Sequence, residues 1–220
     1  MKPKSPFTQT FGQLPGELPI HVANSALLPG GELPLELSRP ADLALSLDAL
    51  KNDQLIGIVQ ARPDSAEDGT YGIGCAGRIR QYRERSDGRL NLMLSGICRF
   101  RIVDELATPA GFRKAKVDWQ GFADDFETED VEASRIEAFR RQLRRYFDTH
   151  GMQVDWKVLD ERHIEEVVNN LVLVINLDVD DRQRLLETPT VTRRLQVFGE
   201  ILDRKTVPVV TAAPVDGLVN

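Results

Sequence analysis

Gly72-Ile73-Gly74-Cys75-Ala76-Gly77-Arg78-Ile79-Arg80-Gln81-Tyr82 is followed, after Ser86-Asp87-Gly88-Arg89, by Leu90-Asn91-Leu92-Met93-Leu94-Ser95-Gly96-Ile97-Cys98-Arg99-Phe100-Arg101-Ile102. Two runs of strand-forming residues flank an Asp-Gly pair, and tight turns select residues that tolerate positive φ. The stretch reads as a β-hairpin, and the rest of the N-terminal half is organised around it.

Upstream, Leu18-Pro19-Ile20-His21-Val22 reads as a short strand that starts at a proline, which a strand end tolerates. Leu27-Leu28-Pro29-Gly30-Gly31 turns the chain into Glu32-Leu33-Pro34-Leu35-Glu36-Leu37, which alternates polar and apolar side chains. Leucines at 43, 47 and 50 give Asp42 to Lys51 a helical spacing, and Gln54 to Gln60 is a buried strand. Residues 62–70, polar and with Pro63 and Gly69, read as a loop. Downstream of the hairpin, Phe112 to Trp119 is a strand with Ala115, Val117 and Trp119 on one face. The expectation is a mostly antiparallel, barrel-like β subdomain.

The pattern changes near Gly121. The acidic run Asp124-Asp125-Phe126-Glu127-Thr128-Glu129-Asp130 reads as the opening of a helix, because negative charge suits the N-terminal dipole. Ile136, Phe139, Leu143 and Tyr146/Phe147 continue it to Gly151. Further helices are expected over residues 160–177, from Asp180, and from Thr188-Pro189, where threonine caps and proline suits the first turn. The fold class is therefore α+β. Residues 1–17 are a flexible arm, 18–122 the β subdomain, 123–205 a helical bundle and 206–220 a flexible tail.

The chain has 220 residues, 41% hydrophobic and 28% charged, the balance of a soluble globular protein. A net charge of −6 argues against a surface built throughout for nucleic acid. Cys75 and Cys98 make no disulfide framework and no zinc spacing, so both read as reduced core side chains. The N-terminal residues contain no apolar segment of signal-peptide type, and the longest apolar run, Leu171 to Ile175, is far short of the ~20 residues of a membrane span. A cytoplasmic protein is expected, with no membrane partner.

No Gly-x-x-x-x-Gly-Lys-Ser/Thr string is present to surround phosphates. Gly72-x-Gly74-x-x-Gly77 matches a dinucleotide spacing, but that spacing matters only where it opens a helix, and here a hairpin follows. His21, His150 and His163 have no second ligand at metal spacing and read as surface or half-buried side chains. Asn176, Asp178, Asp180 and Glu187 fall at calcium-loop positions 1, 3, 5 and 12. Asp181 replaces the glycine of the sharp turn, so an acidic helix start is the preferred reading. No catalytic, metal or cofactor residue is expected.

Charge is unevenly distributed. Strict alternation places Arg78 and Arg80 on one face of their strand and Arg99 and Arg101 on one face of its partner. If the hairpin pairs directly, the four form one basic patch. It is the candidate ligand contact, against acidic peptide, nucleic-acid phosphates or the chain's own residues 124–132. The bland alternative is the solvated outer face of a half-buried sheet.

The order of four segments resembles the N-terminal substrate-recognition domain of the Lon protease family. They are Leu18-Pro19-Ile20 with Leu28-Pro29-Gly30-Gly31-Glu32-Leu33-Pro34-Leu35; Gln54 to Val59; Gly72 to Ile79 with Gly96 to Ile102; and the helical half including Asp155-Trp156 and Arg182 to Glu187. The resemblance implies a PUA-like β subdomain followed by a helical bundle, in a small stand-alone bacterial member without the ATPase and serine–lysine protease parts. It also implies a non-enzyme that binds unfolded or extended polypeptide, in the groove between the two halves or at an unpaired sheet edge, as an adaptor for a separate protease. A small RNA-binding regulator using the basic face is the alternative. One departure is Leu37-Ser38-Arg39-Pro40-Ala41-Asp42, where many members carry an aromatic-acidic-Pro-Arg-Tyr stretch.

Overall fold

The computed structural model describes residues 11–63 and 69–206. The expected order of elements is present: β1 (Glu17–Ala23), β2 (Glu32–Leu37), α1 (Pro40–Lys51), β3 (Leu55–Gln60), β4 (Ile73–Glu84), β5 (Leu90–Leu106), β6 (Arg113–Asp118), then α2 (Ala133–Thr149), α3 (Trp156–Asp160), α4 (Ile164–Val174), α5 (Val179–Glu187) and α6 (Val191–Thr206). The fold is α+β. Most of the expected arm (1–10) and tail (207–220) lie outside the described residues. Residues 11–17 are docked, with the Phe11 ring 6.0 Å from that of Phe126.

The strands pair in the order β2-β5-β4-β3-β1-β6, and β6 also pairs with β5. The ladder of β5, β4, β3, β1 and β6 thus returns on itself. The sheet is mixed rather than antiparallel throughout, because β1 and β3 run parallel, Ile20 opposite Gly57. The chain between them, through β2 and α1, is long enough for the crossover that a parallel pair needs.

Alternation in β3 explains why all six of its residues are buried. Leu55 and Val59 face a cluster inside the returning ladder with Leu18, Ile20, Phe100, Ala115 and Val117. Ile56 and Ile58 face a larger cluster shared with Leu28, Leu94 and the helices, including Phe139, Val168, Leu185 and Phe198. The inner cluster turns on one aromatic ring: a Cβ at Gly74 would come within 2.8 Å of the Phe100 ring and 2.4 Å of the Ile58 carbonyl oxygen. The Gly-x-Gly-x-x-Gly spacing therefore lies at the start of a strand, where missing side chains make room for a core ring.

Several helix starts differ from the sequence expectation. The acidic run lies in a 3-10 turn at Ala123–Phe126 and the connection after it, and α2 begins only at Ala133. Glu129 from this run instead caps α6, its carboxylate accepting from the N–H groups of Val191 (2.5 Å) and Thr192 (3.1 Å). Helix α6 is capped by Thr190, whose hydroxyl accepts from the Arg193 N–H, while Thr188 closes α5 by donating to the Arg184 carbonyl. Thr188-Pro189 is the connection between two helices rather than a helix start. The span expected as one helix over 160–177 breaks between α3 and α4.

Candidate functional site

The hairpin contains two one-residue irregularities, and they decide where the arginines go. Ala76 pairs with Cys98 but Gly77 with Gly96, so Ile97 is an extra residue in β5; Ile79 pairs with Leu94 but Gln81 with Met93, so Arg80 is an extra residue in β4. A single inserted residue exchanges the faces of everything beyond it. Arg78 consequently stands opposite Ser95 and Leu55, whereas Arg99 stands opposite Cys75 on the other face. Arg78, Arg80, Arg99 and Arg101 do not form one patch.

Arg99 is 2% exposed. Its guanidinium donates to both oxygens of Asp125 (2.7 to 3.1 Å) and to the carbonyls of Leu186 (3.3 Å), Thr188 (2.9 Å) and Pro189 (3.0 Å). The Arg99 backbone N–H also donates to Asp125, at 2.8 Å. Five donors on a rigid fork suit this task. The arginine closes the acidic turn and the α5–α6 connection onto the sheet. Beside it, Arg194 donates to the carbonyls of Leu185 and Thr188 and to Asn169, which in turn donates to the Pro29 carbonyl. Gln60 and Gln183 join the halves further along, at 3.0 Å. The expected groove between the halves is thus occupied by side chains, with a residual cavity of about 200 Å³ beside Asp125 and Arg194. Arg101 is exposed at the far end of β5, cross-strand from Asp118.

Among the described residues, concavities of about 690 and 810 Å³ are open to solvent. One, about 690 Å³, lies between β1 and α1 and includes His21, Arg39 and Asp42. The Arg39 guanidinium holds Asp42 at 2.7 and 3.0 Å, and His21 Nδ1 lies 3.6 Å from the same carboxylate. Burial lowers the His21 pKa, with Asp42 opposing the shift. His150 stacks on Tyr146 and His163 precedes α4. Cys75 and Cys98 are buried free thiols whose pKa values burial raises, which leaves little thiolate to react. Positions 5 to 12 of the calcium-like spacing fall within α5; Asp180 accepts from the Tyr71 hydroxyl, Asp178 pairs with Lys205 and Glu187 accepts from Gln183. Among the described residues no three His, Cys, Asp or Glu side chains are grouped to hold a metal, and no helix is long and apolar enough to cross a membrane.

The other concavity, about 810 Å³, lies on the arm formed by β2, the far half of β4 and the near half of β5. Pro34, Leu35, Tyr82, Met93, Arg80, Arg83 and Glu36 border it, and the cross-strand register sets Pro34, Met93, Arg83 and Glu36 on one face of the arm and Tyr82 with Leu35 on the other. Tyr82 is 64% exposed. An aromatic ring this exposed beside arginines can take an apolar side chain while the cations hold charge near it. Of the four arginines expected at the site, Arg80 lines this concavity and Arg78 adjoins it on β4; the sequence reading missed Tyr82, Pro34 and Met93. Tyr82 was the available signal, an aromatic standing among charged residues beside a turn.

The ATP-dependent protease La (LON) substrate-binding domain matches residues 17–204. The chain is 28% identical over 204 residues to Lon protease 2 of Myxococcus xanthus and 29% identical over 204 residues to Lon protease of Dictyoglomus thermophilum, each alignment covering 87% of this chain. It spans about a quarter of the length of these relatives, 24% and 25%. Among solved structures, the Lon N-terminal domain protein from Xanthomonas campestris superposes with a TM-score of 0.62 at 21% identity, covering 83% of this chain and 96% of that one. The N-terminal domain of Mycobacterium avium complex Lon protease gives 0.61 at 17%, covering 86% and 97%.

Proposed function

The chain belongs to the LON substrate-binding domain family, and from that premise we propose that it is a non-catalytic recognition module for unfolded or extended polypeptide, acting in the cytoplasm as an adaptor for a separate protease. The observation that carries the reading is the open arm, where Pro34 and Met93 stand beside Arg83 at the concavity and exposed Tyr82 stands with Leu35 on the other face. A shallow apolar surface gives sequence-tolerant affinity, which suits a protein that meets many clients. The returning ladder of strands supports the PUA-like, barrel-like description of the β half. Arg99 serves the fold rather than a ligand.

The test is a titration of a fluorescent, permanently unfolded polypeptide at two salt concentrations, with the wild-type protein and with Tyr82→Ser/Met93→Ser. Saturable binding that depends weakly on salt, and a loss of about tenfold in the variant, is the expected result. Equal affinity in the variant, or no binding, overturns the reading. Binding of single-stranded RNA with a steep salt dependence would replace it with nucleic-acid regulation.

A further inference from the structure

We propose that the open edge of β4, residues 80–84, takes an acidic extended segment of the client as an added β-strand. This deepens the polypeptide-recognition reading, on which it rests, by naming the chemistry of the segment and the way it docks.

The first argument is the pattern of backbone groups. On its β3 side, β4 is paired only as far as Arg78, with the Ile79 N–H donating to the Gln54 carbonyl at 2.9 Å. Beyond that point no strand among the described residues lies on this side. At the turn, the Arg85 N–H donates to the Arg89 carbonyl, 2.8 Å away. Main-chain groups alternate in direction along a strand, so Arg83 and Gln81 face β5 as Arg85 does, and the N–H and C=O of Tyr82 and Glu84 point outward. Two outward residues with that spacing are the pattern an added strand pairs with.

The arm's opposite edge is closed to such pairing. In β2 the Glu32 N–H donates to the Asn170 side chain at 3.1 Å. The next residue with the same orientation is Pro34, which has no N–H to give. The contrast selects β4 as the edge left available.

The second argument is charge. Arg85 and Arg89 are engaged by Glu36 and Asp87, whereas Arg80 and Arg83 stand exposed on the edge. Arg78, next along β4, has its pKa lowered by burial and then by the Arg80 cation, with Asp53 opposing the shift. A second copy of this chain, pairing antiparallel with Tyr82 and Glu84 exchanging main-chain bonds, would set Arg83 directly against Arg83. The extra residue at Arg80 also bends the edge out of the flat form that pairs indiscriminately. A strand with Asp or Glu beside Arg80 and Arg83 avoids the charge clash, and an apolar residue alternating with the acids can lie on Tyr82. A peptide fits better than RNA because the edge offers main-chain donors and acceptors in strand register.

The experiment uses fluorescein-labelled peptides of about 12 residues, enough to span the edge as a strand. One alternates Leu with Glu, one Leu with Lys, and a third is the Leu–Glu peptide N-methylated at every second amide. They are titrated beside the unfolded polypeptide, against the wild-type protein and Arg80→Glu/Arg83→Glu. Circular dichroism and thermal unfolding of the variant establish that these two exposed substitutions leave the fold intact. The Leu–Glu peptide should bind at least about tenfold more tightly than Leu–Lys, the order should reverse in the variant, and N-methylation should remove binding. Equal binding of both peptides, with the unfolded polypeptide still bound, overturns the acidic preference and leaves the recognition reading standing. Undiminished binding of the N-methylated peptide overturns strand addition. Failure of every peptide and of the unfolded polypeptide overturns both the inference and the reading beneath it.

Discussion

Replacing Arg99 by alanine removes a side chain that closes the two halves of the molecule from one position. It is 2% exposed and donates to Asp125, itself 6% exposed, and to three carbonyls of the α5–α6 connection. The variant leaves a carboxylate buried without its cation, and breaking a buried pair from one side costs about 3–5 kcal/mol. Asp125 keeps the Arg99 backbone N–H at 2.8 Å, and the Thr188 carbonyl keeps Arg194 at 3.1 Å. Those surviving bonds place the expectation near the lower end, about 3 kcal/mol. At roughly 2–4 °C per kcal/mol for a domain of this size, Tm should fall by about 6–12 °C. Urea unfolding of Arg99→Ala, Asp125→Ala and the double variant tests the cause as well as the size. The double variant should be more stable than the sum of the two single losses predicts, because one buried charge no longer waits for the other. A loss under about 1 kcal/mol for Arg99→Ala, or additivity within about 0.5 kcal/mol, would refute the reasoning.

Two further outcomes follow from local geometry. Gln54 is held at φ 58°, a left-handed conformation that costs a side-chain-bearing residue about 1–2 kcal/mol, part of which glycine returns as extra freedom in the unfolded chain; Gln54→Gly should gain about 0.5–1 kcal/mol in urea unfolding, and a loss would contradict this. Burial lowers the His21 pKa, so the folded protein binds that proton less readily than the unfolded chain does. The stability contributed by neutral His21 should be present above the ordinary imidazole pKa of about 6.5 and be lost as pH falls through that value to the lower folded one. His21→Gln should flatten this part of the urea-midpoint profile, and an unchanged slope would refute the assignment.

Periodicity made most elements legible, because strands and helices that bury one face announce it every two or three to four residues. Ala115 and Val117 were readable as inward-facing for that reason, as was the glycine-rich start of β4. The arginines were misplaced by the same logic. Strict alternation is a local rule, and the extra residue at Ile97 exchanges faces without any change in composition that would mark it. Nor could the partners of Arg99 be seen, since they lie 26 and 87–90 positions away. The parallel pairing of β1 with β3 depends on where the returning ladder closes, and the role of Glu129 depends on a helix that begins more than sixty residues later. Tyr82 was visible as a residue but not as a surface, because exposure is set by where neighbouring strands end.

Strand β5 has a mechanical consequence. It runs 17 residues without a break, from the turn of the arm to the wall it shares with β6, with Arg99 clamped part-way along. Tension applied at residues 85–89 along the strand axis loads its lateral hydrogen bonds together, in shear. The same tension applied across the arm would peel β4 from β5 one pair at a time. A load drawn away along the direction of β5 therefore meets many hydrogen bonds at once, and one drawn sideways meets a single pair at a time.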